Sequence, residues 1–300
     1  MNKQLLHKYK NGNYTVFLYT DGTKEKITQE DFFNADFPDS IDLKITNYCD
    51  ANCPMCHENS NTLGAHADLT HPFLNTLQKG TELAIGGGNP LSHPQLIPFL
   101  KKMKDVGVVC NITVNERHLI ANNALIGRLI EEKLVWGVGV SVTNAEKETV
   151  EFLRENKNSV AHLICGIVTP TVINKLKDVK VLFLGYKLKG RGKAFFSETV
   201  NHNILGLKSS LRFLFNHFES MSFDNLALEQ LQIEKIVPSE EFEARFMGHD
   251  GEASMYIDLV NQKYAISSLS EETYEMTDDI FTMFKYVKSV VCLTRSDKAT

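Results

Sequence analysis

Between residues 40 and 186, apolar runs alternate with segments whose apolar positions fall three and four apart. The runs are SIDLKIT (40–46), LAIGG (83–87), VVCNITV (108–114), VWGVGVSV (135–142), VAHLICGIV (160–168) and VKVLFLGY (179–186). Their length and β-branched content predict strands. The stretches PQLIPFLKKMKDV, NNALIGRLIEEKL, NAEKETVEFLRENK and PTVINKLKDV between them predict helices. Strands that read apolar almost throughout are expected to be parallel and buried on both faces. Repeated βα units of this kind build a parallel sheet with right-handed crossovers. Six units fall short of the eight that close a full barrel. The expected fold class is therefore α/β, a partial (βα)6 TIM-like barrel, with a doubly wound sheet as the alternative.

The flanks follow different patterns. YTVFLYTDGTKEKIT (14–28) predicts a β-hairpin around Asp21-Gly22. After about residue 195 the rhythm is lost. ILGLKSSLRFLFNHF (204–218) predicts a helix, ASMYIDLVNQKYAISS (253–268) a hairpin turning at Asn261-Gln262, and EETYEMTDDIFTMFKYVKSVV (271–291) a closing helix. The expected organisation is an N-terminal hairpin extension (1–39), a barrel core (40–194) and a C-terminal α+β extension (195–300).

Composition narrows the function. A chain of 300 residues that is 43% hydrophobic can bury a sizeable core, and its net charge of −5 offers no broad basic field for bulk nucleic-acid binding. The first residues, MNKQLLHKYKNGNY, lack an export-signal pattern. No apolar run approaches the roughly 18 residues of a membrane span. A cytoplasmic protein without a membrane partner is expected. In that compartment clustered cysteines point to metal or redox chemistry rather than disulfides.

Three of the six cysteines crowd into NYCDANCPMCHENS (47–60), as Cys49, Cys53 and Cys56. The loop follows the first barrel strand, where parallel α/β folds gather functional groups. Pro54 keeps it from being helical. Cys110 and Cys165 lie inside apolar runs and read as core residues, and Cys292 stands apart. C-x3-C-x2-C admits four readings. Zinc would need a fourth ligand, with His57 or His66 as candidates. Haem attachment matches C-x-x-C-H at residues 53–57, and a redox dithiol matches C-x-x-C, but both ignore Cys49. A [4Fe–4S] cluster with three protein thiolates leaves one iron open.

This motif, placed directly after the first strand of a repeating βα unit, resembles the radical S-adenosylmethionine (SAM) superfamily. The resemblance covers roughly residues 41–186. It implies that Cys49, Cys53 and Cys56 hold a [4Fe–4S] cluster whose open iron chelates the methionine end of SAM. It further implies reductive cleavage to a 5′-deoxyadenosyl radical that removes hydrogen from a substrate, with an electron donor such as a flavodoxin or ferredoxin. Members usually have an aromatic residue before the third cysteine. Here it is Met55, which can pack on adenine. In AIGGGNPLSHP (84–94), Gly87, Gly88, Asn89 and Pro90 match the family's Gly-Gly-Glu-Pro type motif, or Gly86 takes part in a register moved by one. Asn89 replaces the acid and keeps only an uncharged acceptor for the SAM ammonium. By the same resemblance Asn115 and Ser141, at the ends of the third and fourth strands, reach the ribose and carboxylate of SAM. No catalytic residue is assigned beyond the cluster.

The substrate is less legible. GYKLKGRGK (185–193) places Lys187, Lys189, Arg191 and Lys193 at the mouth and suits a small anionic substrate. The C-terminal hairpin suits a peptide or protein. That hairpin carries Ser267 and Ser268 and no cysteine, so auxiliary clusters are not expected. His57, Glu58, His66 and Asp68 lie in the polar loop beside the cysteines. The competing expectation is a non-enzymatic zinc or iron–sulfur module, structural or regulatory.

Overall fold

The computed structural model describes residues 3–296. Near the N-terminus, β1 (Leu5–Asn11), β2 (Tyr14–Tyr19) and β3 (Lys24–Thr28) form an antiparallel sheet in that order. The β2–β3 hairpin is the one expected, and β1 adds a third strand. The sheet is anchored by Asp39, which is 1% exposed. Asp39 accepts from Tyr14 Oη at 2.7 Å and Asn11 Nδ2 at 2.8 Å, and pairs with Lys26 Nζ at 2.8 Å.

The six strands expected between 40 and 186 all form. They are β4 (Ser40–Thr46), β5 (Glu82–Gly87), β6 (Val109–Asn115), β7 (Gly137–Ser141), β8 (Ser159–Ile164) and β9 (Lys180–Leu184), paired in parallel in sequence order. The C-terminal segment extends the sheet at both edges. β10 (Ser220–Phe223) pairs in parallel with β9, and β11 (Ser254–Asp258) pairs in parallel with β4. β12 (Lys263–Ala265) and β13 (Tyr274–Glu275) then add antiparallel edges, with Gln262 at φ +53° in the β11–β12 turn. Among the described residues no ladder joins β10 to β13, so this ten-stranded sheet stays open.

The helices between the parallel strands are α1 (Leu96–Asp105), α2 (Glu116–Ala121), α3 (Asn123–Glu131), α4 (Lys147–Glu155), α5 (Pro170–Lys175), α6 (Gly190–Phe195) and α7 (Glu198–Leu214). α8 (Asn225–Leu231), α9 (Ser239–Arg245) and α10 (Ile280–Ser296) follow. α7 starts six residues earlier than its apolar pattern does, because the Ser197 side chain caps it from Val200 N. α10 starts at Ile280, later than expected. Tyr274 is taken up pairing with Tyr264, and Asp279 Oδ2 accepts from Thr282 N at 2.9 Å to open the helix.

The two faces of the sheet differ, which corrects the expectation of strands apolar on both sides. Leu43, Ile45, Leu83, Ile85, Ile112, Val114, Val138, Val140, Leu163 and Phe183 are buried on the convex face. There they join one core with Phe99 and Met103 of α1, Leu153 of α4, Leu211 of α7 and Phe284 of α10. The alternate positions Asp42, Ala84, Gly86, Asn111, Thr113, Gly137, Gly139 and His162 line a cavity of about 570 Å³. Glycine and alanine count as apolar in a hydropathy pattern, and here they conceal a period of two.

Asp39 sets a pH dependence. Burial pushes its carboxyl up, but Lys26, Lys24 and the Asn11 amide together outweigh burial and hold it below the usual carboxylate range. A carboxyl with a lowered folded pKa stabilises fully above its unfolded value of about 3.9, and that stability is lost as pH falls through the folded value. The urea midpoint should therefore drop steeply below about pH 4. Asp39→Asn should lose about 3–5 kcal/mol at neutral pH and lack that acid component, as read from urea titrations across pH.

Candidate functional site

The ladder between β4 and β5 runs on past the strands. Gly88 N donates to Thr46 O at 2.7 Å and Asn89 N to Tyr48 O at 2.6 Å. This close approach needs glycine: a Cβ on Gly88 would lie 2.1 Å from Tyr48 O, and Gly87 has φ +106°. The glycine run is thereby zipped to the start of the cysteine loop. The loop closes at its neck, where Cys49 N donates to Asn61 O at 2.9 Å and Asn61 N to Asn47 O at 3.1 Å. Cys49, Cys53 and Cys56 are half-buried and all three line the cavity. Burial raises the pKa of Cys49 and Cys53, and the neighbouring thiols add to the rise.

Arg191 ties the loop down from the opposite side of the mouth. Its Nε donates to Cys53 O at 3.0 Å, its Nη2 to Ser60 O at 3.0 Å and its backbone N to Cys56 O at 3.0 Å. Gly190, at φ +52°, allows the contact, since a Cβ there would lie 2.4 Å from His57 O. On the α2 side, buried His118 holds Asp50 through Nε2 at 2.7 Å.

The residues singled out from sequence divide into two groups. Met55, Gly86, Gly87, Gly88, Asn115, Ser141 and Lys187 line the same cavity as the three cysteines. Asn115 Nδ2 lies 3.7 Å from Cys53 Sγ while its Oδ1 caps α2 at Arg117 N. Ser141 is in register with Asn115 on the next strand. Gly86 has nothing within 4 Å of where a Cβ would be. The second group sits outside the cavity lining. Asn89 is buried, and its Oδ1 accepts from Leu91 N at 3.2 Å to cap a short 3₁₀ turn. Lys189 Nζ donates to the carbonyls of Ser268 and Ser270, and Arg191 is occupied as described. The loop 185–193 is therefore no open cationic field. Lys187 alone of the three faces the cavity, and its Nζ donates to Ser268 Oγ at 2.8 Å.

A polar network on the concave face is absent from the sequence expectation. Lys44 pairs with Glu58 at 2.7 Å and Asp258 at 3.0 Å, and Tyr256 Oη lies 3.4 Å from Glu58 Oε1. Burial opposes ionisation of Glu58, but His57 at 3.3 Å and Lys44 outweigh it and bring the carboxyl down to about 2. His162, also on this face, is pushed down to about 4 by burial, then by Lys187, and is neutral at pH 7. The signal was present in SIDLKIT, where Asp42 and Lys44 interrupt an apolar strand at alternate positions.

No family model matches the chain, and no curated protein matches it. Solved structures do. SuiB of Streptococcus suis bound to the precursor peptide SuiA superposes with a TM-score of 0.57 at 12% identity, over 84% of this chain and 65% of that one. The chain has the fold of SuiB. SuiB bound to S-adenosylmethionine gives a TM-score of 0.54 at 11% identity over 81% and 64% of the two chains. A further SuiB structure gives 0.54 at 12% identity over 84% and 66%. The chain thus spans just under two thirds of the length of SuiB. The fold anticipated for the radical SAM superfamily, an α/β architecture on a large parallel sheet, is the fold found. No helix among the described residues is long and apolar enough to cross a membrane.

The Arg191 tether can be tested by itself. Arg191→Ala removes two side-chain bonds to the loop and should cost about 1.5–3 kcal/mol. Amides of 49–61 should exchange faster with deuterium. Arg191→Lys should recover only part, because a point ammonium cannot bridge both carbonyls as the planar guanidinium does.

Proposed function

We propose that this chain is a radical SAM enzyme that acts on a peptide. What carries the reading is the meeting of three thiols and a glycine run, from adjacent parallel strands, on the rim of one cavity. Three thiol donors on a single anchored loop fit a [4Fe–4S] cluster with an open iron, and Cys49, Cys53 and Cys56 would hold it. A zinc site would need a fourth ligand. The two candidates are engaged elsewhere: His57 lies against Glu58, and His66 Nδ1 is 2.9 Å from Thr46 Oγ1.

Bound at this rim, the cluster and SAM would supply a 5′-deoxyadenosyl radical through one-electron cleavage of a carbon–sulfur bond. The protein's residues do the remaining work. Arg191 and Asn61 hold the thiols in position. Gly86 leaves the floor beside them bare for the cofactor, with Met55 available to pack on adenine and Asn115 and Ser141 available to its polar groups. Asn89 caps its own turn, so the backbone of 86–88 supplies the acceptors for an ammonium that the family's acid would otherwise meet. Enclosure by the sheet excludes water and stray hydrogen donors. SuiB structures with SAM and with a precursor peptide support both cofactor and substrate class. A flavodoxin or ferredoxin would deliver the electron, in a reducing cytoplasm.

Anaerobic reconstitution should load about four iron per chain, and dithionite should then yield 5′-deoxyadenosine from SAM by mass spectrometry. Cys49→Ala should abolish both. One tightly held zinc and no SAM cleavage would overturn the reading. Gly86→Val should keep its thermal midpoint yet weaken SAM binding at least about tenfold, measured by calorimetry on the reconstituted protein.

A further inference from the structure

The concave face is built in tiers. Strand register puts Lys44, Gly86, Thr113 and Gly139 at one level. Two residues earlier along each strand, about 6.6 Å further from the cysteine rim, lie Asp42, Ala84, Asn111 and Gly137, with Asn158 just before β8 beside them. This deeper tier is rich in acceptors. Asp42 lines the cavity with its side chain exposed, and among the described residues it has no hydrogen-bond or ion-pair partner. Desolvation at this depth pushes its carboxyl up. Asn158 is oriented by its own hydrogen bond, Nδ2 to Thr20 O at 2.9 Å, which leaves Oδ1 buried with no donor. Asn111 Oδ1 occupies space that exists only because residue 137 is glycine, where a Cβ would lie 2.7 Å away. Along the whole lining, Asp42, Glu58 and Asp224 outnumber Lys44 and Lys187. Lys44 is already spent on Glu58 and Asp258, and Lys187 on Ser268.

We propose that the floor of the cavity is a recognition subsite for a cationic, donor-bearing group of the substrate, a lysine-type ammonium or an arginine-type guanidinium, with Asp42 as the specificity-determining residue and the Asn111 and Asn158 carbonyls as further acceptors. This rests on the peptide-modifying reading above and names the side-chain class that reading leaves open. Asp42 presents its carboxyl to the cavity with no cation of the protein against it, and a cation that brings its own donors would pair with it while also meeting the buried Asn158 Oδ1. Neutral side chains of the same length would leave the buried Asn158 Oδ1 unsatisfied and Asp42 without an opposite charge, and a site that loses polar partners in this way discriminates against them.

The test is direct binding to the full chain without cluster or reductant, followed by saturation-transfer NMR. The probes are the Nα-acetyl amides of lysine, arginine, norleucine and glutamate. Lysine or arginine amide should bind at least tenfold more tightly than norleucine amide, with glutamate amide weakest; whichever of the two cations wins identifies the group. Asp42→Asn should erase the preference. Asp42→Lys should invert it toward glutamate amide, and circular dichroism checks that both variants fold. Equal binding of lysine and norleucine amides, no binding of any probe, or an unchanged preference in folded Asp42→Asn would each overturn the proposal. Because no SAM chemistry enters the measurement, absence of 5′-deoxyadenosine formation with the preference intact would unseat the enzymatic reading and leave the subsite standing.

Discussion

A curled sheet of parallel strands must put something on its concave face. A closed eight-stranded barrel fills that space with layers of bulky side chains. Here the inward positions of β5 and β7 include Ala84, Gly86, Gly137 and Gly139, and the space stays hollow. The omissions are geometric requirements: a Cβ at Gly139 would lie 2.3 Å from the His162 ring. Gly137 and Gly139 make room for Asn111 and His162 on the neighbouring strands, and Gly86 leaves open space. The apolar stabilisation then has to come from the convex face alone, at about 1.5–3 kcal/mol for each large side chain buried there. That division of labour is what allows a stable domain to keep its concave face hollow.

The rim inherits its geometry from the same sheet. β4 and β5 hand their ladder directly to the cysteine loop and the glycine run, so strand register places the start of the loop up to Tyr48. Register errors are expensive in a sheet with two unlike faces, since a slip of one residue would move Asp42 and Lys44 into the apolar core. The loop is anchored at its neck by Asn61, at its crown by Arg191 and on its flank by the His118–Asp50 pair. None of these contacts uses a thiol, which leaves all three sulfurs available to the cavity side.

The strand–helix rhythm and the cysteine loop were legible because both are local patterns. What escaped was non-local or disguised. β1 escaped although Asn11-Gly12 is a strong hairpin signal, because LLHKYKN alternates weakly. β10, SMSF, is a four-residue polar edge strand that carries no pattern of its own and exists only because β9 offers an open edge. The concave face was misjudged because a Val-Gly-Val-Gly run scores as continuous apolar sequence. Arg191 and Lys189 looked like an open basic loop, and only tertiary contacts with Cys53, Ser60 and Ser268 reveal what they hold.

The segment after residue 195 contains a single cysteine, Cys292 on α10, which does not line the cavity. Its contribution is architectural. β11 lies against β4 and brings Tyr256 and Asp258 into register with Asp42 and Lys44. Without β11, Lys44 would lose one of its two carboxylates, and the cavity would open along the β4 edge. Ser268 and Ser270 then meet Lys187 and Lys189 across the mouth, joining the last strands to the loop after β9. The loop after β9 and the segment after β12 are thus joined by side chains rather than by a strand ladder. Bonds from lysines to a hydroxyl and to carbonyls hold two loops together there without a strand ladder, so closure on this side depends on Lys187 and Lys189 while the cysteine rim rests on β4 and β5.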